Sequence, residues 1–281
     1  MILSGDFFIF IYCKNYVLGG VNLKNIKSVT SKDNSLIKLV CSLQSSVKAR
    51  KENGLFVLEG KRICDDAYVS GIKFDKLIVS DTALKKYSES IEMFSKNAKE
   101  IFKIPDSLFK KISDTTSPQG IIALAEMPKK STKIDVNGRY IALENINDPS
   151  NLGAVSRTAE ALGVSGIILS ADGCDPYSPK SLRASMGTLL RMPVIVLDDF
   201  ANQINESGLK SYACVVEKDA KPIKDITFSD GCVLMIGNEA NGLSDGAKNI
   251  ADFNITIPMS GKAESLNASV AAAIAIWEMM K

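Results

Sequence analysis

From Asn34 onward, short apolar segments alternate with amphipathic ones, and this alternation limits the folds open to the chain. The short segments are rich in Val, Ile and Leu, which predicts strands, and the segments between them carry apolar residues at helical spacing. The predicted helices include residues 35–51, 82–97 and 179–190. In the second half of the chain the predicted strands are residues 140–144, 166–170, 193–197, 212–216, 232–236 and 254–257. Strands that alternate with helices form a mostly parallel sheet covered on both faces. The sequence therefore predicts an α/β fold.

A polar segment, residues 128–138, is predicted to be a linker between two α/β units. The front unit spans residues 23–127 and the back unit spans residues 139–281, while residues 1–22 form an extension of unclear status. Residues 21–130 carry 20 Lys and Arg against 13 Asp and Glu, whereas residues 131–281 carry 13 against 18. A basic front unit can approach a polyanion, although solvated surface charge accounts for the same counts.

Residues 7–12 of the extension are strongly apolar, but this run is too short to span a bilayer. No basic residue precedes it and no small-residue cleavage site follows it, so it does not resemble a secretory signal. We expect no membrane segment in the chain.

The sequence contains no His, which removes imidazole as a general base and as a metal ligand. A zinc hydrolase and a Ser-His-Asp hydrolase are therefore disfavoured. The six Cys residues are scattered and include no C-x-x-C pair, which excludes a zinc ribbon and does not indicate a disulfide framework. We expect no metal and a reducing, cytoplasmic location.

Three segments that follow predicted strands carry the candidate site residues, because ligands of open parallel sheets bind beyond the carboxyl ends of the strands. The first, residues 145–159, contains Asn151 and Arg157. An Arg near the free N–H groups of a helix N-terminus makes a phosphate-sized anion site, although helix capping explains the polar start of this segment equally well. The second, residues 237–244, has two Gly and two Asn within six residues, and Glu239 could orient a ligand or cap a helix. The third, residues 257–269, runs into a helix predicted over residues 265–280.

Two nucleotide-binding motifs are missing from these segments. Gly261-Lys262 lacks the first Gly of G-x-x-x-x-G-K, which disfavours a nucleoside triphosphatase. No G-x-G-x-x-G follows a predicted strand, which argues against a dinucleotide site.

The same three segments, in this order, resemble the three motifs of the SpoU (TrmH-like) RNA 2′-O-ribose methyltransferases of the SPOUT superfamily. The matching residues are Asn151-Leu152-Gly153-Ala154 with Arg157-Thr158-Ala159, then Gly237-Asn238-Glu239 with Gly242-Leu243, then Ile257-Pro258-Met259 with Ser265-Leu266-Asn267 and Ser269. The front unit is similar to the small substrate-binding domain that often precedes such a domain, through Phe56-Val57-Leu58-Glu59-Gly60-Lys61-Arg62 and Thr116-Ser117-Pro118-Gln119-Gly120. The resemblance extends from about Asn34 to the end of the sequence.

The resemblance implies a methyltransferase domain over residues 139–281 with a deep trefoil knot at its C-terminal end. It also implies that the front unit is a small α/β RNA-binding domain similar to ribosomal-protein folds. The knot would form the pocket for the cofactor S-adenosylmethionine. By position, Gly237, Ile257 and Leu266 would contact the cofactor, with Met259 close by. Such proteins act as homodimers in which one subunit completes the pocket of the other.

The resemblance also implies the catalytic residues. Methyl transfer to a ribose 2′-oxygen needs alignment of the reactants and help in removing the hydroxyl proton. The family assigns the proton to Arg157, but an Arg pKa above about 12 favours a clamp on the substrate phosphate and oxyanion. Asn151 would hold the motif loop or the ribose, Glu239 would orient Arg157 or Asn151, and Ser265 and Asn267 would line the pocket. Helix capping also explains Asn151, Ser265 and Asn267.

The predicted RNA partner is 23S ribosomal RNA. Relatives that modify the tRNA D-loop usually carry an additional C-terminal basic helix, whereas this sequence stops just after the helix of the third motif. A tRNA ribose methyltransferase, a resistance methyltransferase of the same architecture and a non-catalytic RNA-binding protein stay open as alternatives. In the last predicted helix, Leu266, Val270, Ile274 and Trp277 form an apolar stripe, which predicts core packing or a dimer interface.

Overall fold

The computed structural model describes residues 12–18, 21–128 and 134–281. The apolar run predicted over residues 7–12 and much of the predicted linker therefore lie outside the described residues. The chain divides into two compact units, the first of which ends at Pro128. The predicted domain boundaries stay predictions, and the strand Val21–Ser28 crosses the one placed after residue 22. Within the described ranges, no helix has both the length and the apolar character needed to cross a membrane.

The described part of the first unit has six strands and six helices. The strands are β1 (Tyr12–Leu18), β2 (Val21–Ser28), β3 (Leu55–Glu59), β4 (Phe74–Ser80), β5 (Ala98–Ile104) and β6 (Ile121–Glu126). The helices are α1 (Ser35–Ser45), α2 (Val47–Asn53), α3 (Lys61–Val69), α4 (Asp81–Lys86), α5 (Ser88–Ser95) and α6 (Asp106–Ile112). The sheet order is β1-β2-β5-β4-β6-β3, in which β2, β5 and β4 are parallel and β6 is antiparallel to β3 and β4. The carboxyl ends of β3, β4 and β5 therefore share one edge, where α3, α4 and α6 begin.

Apolar side chains from both faces of this sheet form the core of the first unit. Val40 of α1 and Phe109 of α6 belong to one buried cluster with Ile78 of the central strand β4. The next residue along the strand, Leu77, faces the other side and is equally buried. Helices thus cover the sheet on both faces, as the alternation of segments predicts.

Two helices that the apolar spacing predicts as continuous are interrupted. The segment predicted over residues 35–51 divides at Ser46, whose extended backbone ends α1 and whose hydroxyl accepts a hydrogen bond from the N–H of Ala49 at 3.2 Å. The segment predicted over residues 82–97 divides at Tyr87, whose φ is −123°. Apolar residues continue across both breaks, so helical spacing alone does not reveal them.

The second unit is built on a seven-stranded sheet. Its strands are β7 (Arg139–Leu143), β8 (Gly166–Ser170), β9 (Val194–Leu197), β10 (Lys210–Cys214), β11 (Lys221–Pro222), β12 (Cys232–Ile236) and β13 (Phe253–Thr256). Its helices are α7 (Pro149–Leu162), α8 (Pro179–Ala184), α9 (Thr188–Arg191), α10 (Phe200–Asn205), α11 (Asp245–Ile250) and α12 (Ala268–Met280), with a 3₁₀ turn over Ile223–Asp225. The strand order is β11-β13-β10-β12-β7-β8-β9, and every neighbouring pair is parallel. This confirms the predicted α/β fold with a parallel sheet.

The strand order brings the three candidate segments to one edge of this sheet. Strand β10 lies between β12 and β13, and β7 lies on the other side of β12. Because these strands are parallel, the segments that follow β7, β12 and β13 all start at the carboxyl edge. The two central strands pair along their whole length, from Arg139 opposite Cys232 to Leu143 opposite Ile236. The first two candidate segments therefore follow strands that are almost wholly buried.

Helix α7, which carries the first motif, packs closely against α8. A Cβ at Gly153 would lie 2.5 Å from the carbonyl carbon of Ala184, so this approach requires Gly. The helix predicted over residues 179–190 is broken between α8 and α9 by the left-handed backbone of Met186 (φ 50°) and Gly187 (φ 83°). The segment therefore forms two short helices, α8 and α9, and both of them contact α7.

Candidate active site

A cleft of about 390 Å³ opens at the carboxyl ends of β10, β12 and β13. Clefts of this size are typical of small-molecule sites, and those of parallel sheets open at this edge. Its walls come from the ends of these strands, the segments that follow them and the start of α12. The predicted site residues that line it are Gly237, Glu239, Ile257, Met259, Ser265 and Leu266.

The segment after β12 folds into a tight loop whose backbone forms one wall of the cleft. The carbonyl oxygen of Asn238 accepts a hydrogen bond from the N–H of Gly242 at 3.0 Å. The side-chain oxygen of Asn238 accepts two more, from the N–H groups of Ala240 at 3.0 Å and Asn241 at 2.8 Å. A Cβ at Gly237 would lie 2.0 Å from the carbonyl carbon of Gly242, so the loop closes directly onto Gly237. The Gly and Asn content of this segment thus serves a close backbone approach.

The segment after β13 does not form the helix predicted from residue 265. Helix α12 begins at Ala268, and Asn267 is its N-cap, with Oδ1 accepting a hydrogen bond from the N–H of Ser269 at 2.9 Å. An N-cap residue has a non-helical backbone, so the residues before it stay outside the helix. Ser265 and Leu266 consequently lie in the irregular segment that lines the cleft.

Three polar side chains connect the three motif segments. Asn267 Nδ2 donates a hydrogen bond to Asn151 Oδ1 at 3.1 Å, and Asn151 Nδ2 donates one to Glu239 Oε1. Asn151 is only 6% exposed, whereas Glu239 and Asn267 are exposed, so both hydrogen bonds are partly buried. The cap at α12 uses Oδ1 of Asn267, so its Nδ2 must be the donor to Asn151. The carboxylate of Glu239 can only accept. The donor and acceptor of both hydrogen bonds are therefore determined.

Arg157 lies away from the cleft within a single chain. It is exposed on α7 and is not among the residues that line the cleft. It forms no hydrogen bond or ion pair with any other residue in the described ranges. The fold therefore brings Asn151, Glu239 and Asn267 together but leaves Arg157 on the surface.

A buried carboxylate that the sequence does not single out links two of the segments. Glu144 directly follows β7 and is 6% exposed. Its two carboxylate oxygens accept hydrogen bonds from the N–H of Ser244 at 2.7 Å and from its hydroxyl at 2.6 Å. The segment after β7 is thereby tied to the loop after β12. An acidic residue at the end of an otherwise apolar strand is the signal that could have pointed to it.

The side of the cleft next to α11 carries ionisable groups. Lys248 Nζ lies 2.9 Å from Asp245 Oδ1 and 3.6 Å from Glu217 Oε1, and the hydrogen bond with Asp245 raises the pKa of Lys248. Burial raises the pKa of the Cys214 thiol to about 11, so this thiol is uncharged at pH 7. Glu264 adds a further carboxylate to the lining. The cleft can therefore accept a ligand with a cationic group and an apolar body.

No metal site accompanies the cleft in the described part of the chain. No three His, Cys, Asp or Glu side chains among those residues are grouped so that they could hold a metal ion.

Comparison with known proteins assigns both units to characterised sequence families. Residues 138–277 match the SpoU rRNA Methylase family, and residues 34–123 match the MRM3-like substrate binding domain. The chain is 28% identical to the 23S rRNA (guanosine(2553)-2′-O)-methyltransferase RlmP of Bacillus subtilis, over 90% of this chain and 99% of that protein. It is 29% identical to the 23S rRNA (uridine(2479)-2′-O)-methyltransferase of Streptomyces viridochromogenes, over 65% of this chain and 67% of that protein.

A solved structure matches most of the chain. The crystal structure of AdoMet-bound rRNA methyltransferase from Sinorhizobium meliloti superposes with a TM-score of 0.79 at 28% identity. The match covers 90% of this chain and 97% of that chain.

Proposed function

Because the chain belongs to the SpoU rRNA methylase family, we propose that it transfers the methyl group of S-adenosylmethionine to a ribose 2′-hydroxyl of 23S ribosomal RNA. The observation that carries this proposal is that the second and third motif segments line one cleft and that hydrogen bonds from Asn267 to Asn151 and from Asn151 to Glu239 join the first motif segment to both. The proposed reaction occurs in the cytoplasm, on the RNA of the ribosome.

The cleft has the chemistry needed to hold the cofactor. S-adenosylmethionine, when bound, supplies a methyl group on a positively charged sulfonium. Ile257, Met259 and Leu266 offer apolar contacts in the lining, and the backbone around Gly237 offers hydrogen-bonding groups at close range. The carboxylates described above favour a cationic ligand.

Arg157 has the task of holding the reacting ribose. Its guanidinium is a poor proton acceptor at neutral pH, because an Arg pKa lies above about 12. It is a strong bidentate donor to phosphate and to an oxygen that gains negative charge. We therefore assign Arg157 to a clamp on the substrate phosphate and the 2′-oxygen.

The polar chain of the cleft positions the ribose from the other side. Glu239 accepts a hydrogen bond from the Nδ2 end of the Asn151 side chain, and Asn267 donates one to its Oδ1 end. Asn151 is thereby pre-oriented before any substrate arrives, which lowers the cost of alignment. We assign Ser265, which is exposed and lines the cleft, as a hydrogen-bond donor to a ribose hydroxyl.

A homodimer reconciles the position of Arg157 with this chemistry. Helix α12 packs beside α7, and it exposes an apolar stripe of Val270 (47%), Ile274 (37%) and Trp277 (55%). A large exposed apolar stripe of this kind indicates a covered surface. We propose that a second copy covers this stripe and that Arg157 of each copy acts at the cleft of the other. The proposal also includes the deep trefoil knot of the family.

Complementation between two inactive variants tests the shared site. Arg157→Ala and Leu266→Arg each disable one half of it. Mixing and reassembling the two variants should restore methyl transfer, because heterodimers contain one intact combination of cleft and Arg157. No recovery from heterodimers that are shown to form would place Arg157 in its own chain's site and contradict this arrangement.

The activity itself is tested by transfer of labelled methyl groups from S-adenosylmethionine to purified 23S rRNA and tRNA. We expect 2′-O-methylnucleosides in digests of the rRNA. Leu266→Arg should abolish both cofactor binding and product, whereas Val136→Arg, the same kind of change at a 57% exposed site outside the cleft, should leave them intact. Product in tRNA alone would favour the tRNA enzyme, and a folded protein that does not bind the cofactor would favour an RNA-binding protein without activity.

A further inference from the structure

Glu217 lines the cleft, but the proposed reaction gives it no role. It follows the end of β10 by three residues, and β10 and β7 flank β12 on opposite sides. Asn151 belongs to the segment after β7 and therefore lies on the other side of β12 from Glu217. Because neighbouring strands are about 4.8 Å apart, β10 and β7 are separated by roughly 10 Å. The cleft thus has a reaction side, at the polar chain, and an opposite side, at Glu217.

The backbone of Glu217 is held at the edge of the sheet. The N–H of Val215 donates a hydrogen bond to the carbonyl oxygen of Ile255, in β13, at 2.8 Å. The N–H of Ala220 donates one to the carbonyl oxygen of Glu217 at 3.4 Å, and the chain then enters β11, which pairs with β13. Residues 217–220 therefore form a turn whose two ends are both attached to β13. This attachment fixes where the carboxylate of Glu217 enters the cleft.

The side chain of Glu217 can accept hydrogen bonds from a ligand. It is 38% exposed, and its Oε1 lies 3.6 Å from Nζ of Lys248, which also pairs with Asp245 at 2.9 Å. One cation thus faces two carboxylates, and this side of the cleft has a net negative charge. A carboxylate has about four lone-pair sites, so a single ion pair leaves most of them for other donors.

Two parts of S-adenosylmethionine carry donors for such a carboxylate, namely the ribose hydroxyls of its adenosine and the ammonium of its methionine tail. The tail also carries a carboxylate, which a negative surface repels, whereas the ribose hydroxyls carry no charge. Val216, beside Glu217, is 65% exposed in the lining and offers an apolar contact to the adenine base. With the adenosine on this side, the sulfonium that is joined to its ribose extends toward the polar chain.

We infer that Glu217 binds the ribose hydroxyls of the cofactor's adenosine and so makes the cleft selective for a ribonucleoside. The inference rests on the proposed function for the identity of the cofactor. In dinucleotide sites, an acidic residue at the same edge of the sheet as the Gly-rich turn accepts a hydrogen bond from a ribose hydroxyl. Here β10 is the neighbour of β12, whose loop closes onto Gly237. Glu217 is a binding residue that lies away from the reacting atoms.

Equilibrium titrations with 5′-methylthioadenosine, which has the adenosine but lacks the amino-acid tail, test this assignment. The ligands are this compound and its 2′-deoxy and 3′-deoxy analogues, and the variant is Glu217→Ala. A hydrogen bond to a charged acceptor is worth about tenfold or more in affinity. We expect wild type to bind at least one deoxy analogue about tenfold more weakly than the parent compound. Glu217→Ala should bind all three ligands with equally reduced affinity, because the acceptor that distinguishes them is gone.

Two control variants separate this role from a general effect of charge. Asp219→Ala removes a carboxylate from the same turn, at an exposed residue that is not among those lining the cleft. Glu264→Ala removes a different carboxylate of the lining. Both controls should keep the wild-type preference for the hydroxylated ligand, and thermal unfolding followed by circular dichroism checks that every variant is folded.

A preference for the hydroxylated ligand that survives in Glu217→Ala, or disappears in either control, would overturn the inference. So would a Glu217→Ala protein that binds S-adenosylmethionine more weakly but 5′-methylthioadenosine with wild-type affinity, which would assign Glu217 to the ammonium of the tail. If folded wild type does not bind S-adenosylmethionine, the proposed function fails and the inference fails with it. If wild type binds S-adenosylmethionine but the preference is the same in Glu217→Ala, only the inference fails.

Discussion

Gly237→Ala is the sharpest single test of the cleft. The added Cβ would lie 2.0 Å from the carbonyl carbon of Gly242 and 2.1 Å from the nitrogen of Leu243. Real Cβ atoms do not approach heavy atoms closer than 3.0 Å, so backbone on one side must retreat by about 1 Å. That retreat pulls on the bond from the N–H of Gly242 to Asn238, which closes the loop.

The energetic cost follows from these contacts. Overpacking against backbone costs about 1–3 kcal/mol, and a loosened hydrogen bond costs about 1 kcal/mol more. We therefore expect Gly237→Ala to lower the free energy of unfolding by about 2–4 kcal/mol. Because the displaced backbone forms a wall of the cleft, the Kd for S-adenosylmethionine should rise at least tenfold.

Calorimetric titration with S-adenosylmethionine and a urea titration followed by circular dichroism measure both quantities. Gly261→Ala is the matched control, since its Cβ would meet nothing within 4 Å and it lies in the neighbouring segment. Gly242→Ala is a second comparison: its Cβ also enters open space, but its φ of 68° should cost about 1–2 kcal/mol in strain alone. A folded Gly237→Ala protein that binds the cofactor with wild-type affinity would refute the assignment of this loop to the cofactor.

Three further sets of substitutions test the site and its scaffold. Asn267→Asp keeps the oxygen that caps α12 but removes the amide that donates to Asn151. We therefore expect a Tm within about 2 °C of wild type and a kcat for methyl transfer at least tenfold lower. Asn267→Ala should lower both the Tm and kcat, because the loss of the cap costs about 1 kcal/mol. Gly153→Ala should lower the free energy of unfolding by about 1–3 kcal/mol in a denaturant titration, whereas Gly246→Ala, whose Cβ would meet nothing closer than 3.7 Å, should leave it unchanged or raise it by up to about 1 kcal/mol. Hydrogen bonds from Arg191 at 2.6 and 2.8 Å lower the pKa of Glu160, so Arg191→Ala should cost at most about 1 kcal/mol at pH 7, because the pair is partly exposed. This stabilisation is present above the ordinary Glu pKa and is lost as the pH falls through the lowered one. A difference in Tm from wild type that stayed constant between pH 7 and pH 3 would contradict this assignment.

Local chemistry in the sequence was enough to predict six of the seven strands of the back unit and the three segments that the fold joins there, although it missed the two-residue edge strand β11. Each of its predicted strands is observed within two residues of its predicted position, because a short apolar segment between polar ones has few alternatives. The front unit shows where this reasoning stops. In strand β2, Val21–Ser28, the alternation of apolar and polar residues is broken at Asn25, and its pairing with β5 joins Ile26 to Ile101. No local pattern indicates a partner that distant.

Within the site, the limits of sequence reasoning are set by side-chain contacts. Helix capping and catalysis are alternative explanations of Asn267 in the sequence, and in the fold one side chain has contacts of both kinds, with Oδ1 at the cap and Nδ2 at Asn151. The cap also shows why a helix start at Ser265 was wrong. Apolar spacing extends back to Leu266, but the Asn267 side chain accepts hydrogen bonds from the first turn of α12, so the helix begins only after Asn267. The exposed position of Arg157 is not readable from sequence either, because it depends on which faces of α7 the other helices cover.

The bond between Asn151 and Asn267 spans 116 residues, and this distance has a consequence for the order in which the protein is made. At about 5–20 residues per second, a ribosome needs roughly 6–23 s to synthesise the chain between these two residues. Throughout that interval the nascent chain contains a complete front unit but lacks the residues that close the cleft. If the proposed function holds, a polypeptide still under synthesis therefore lacks a complete cleft with which to methylate RNA.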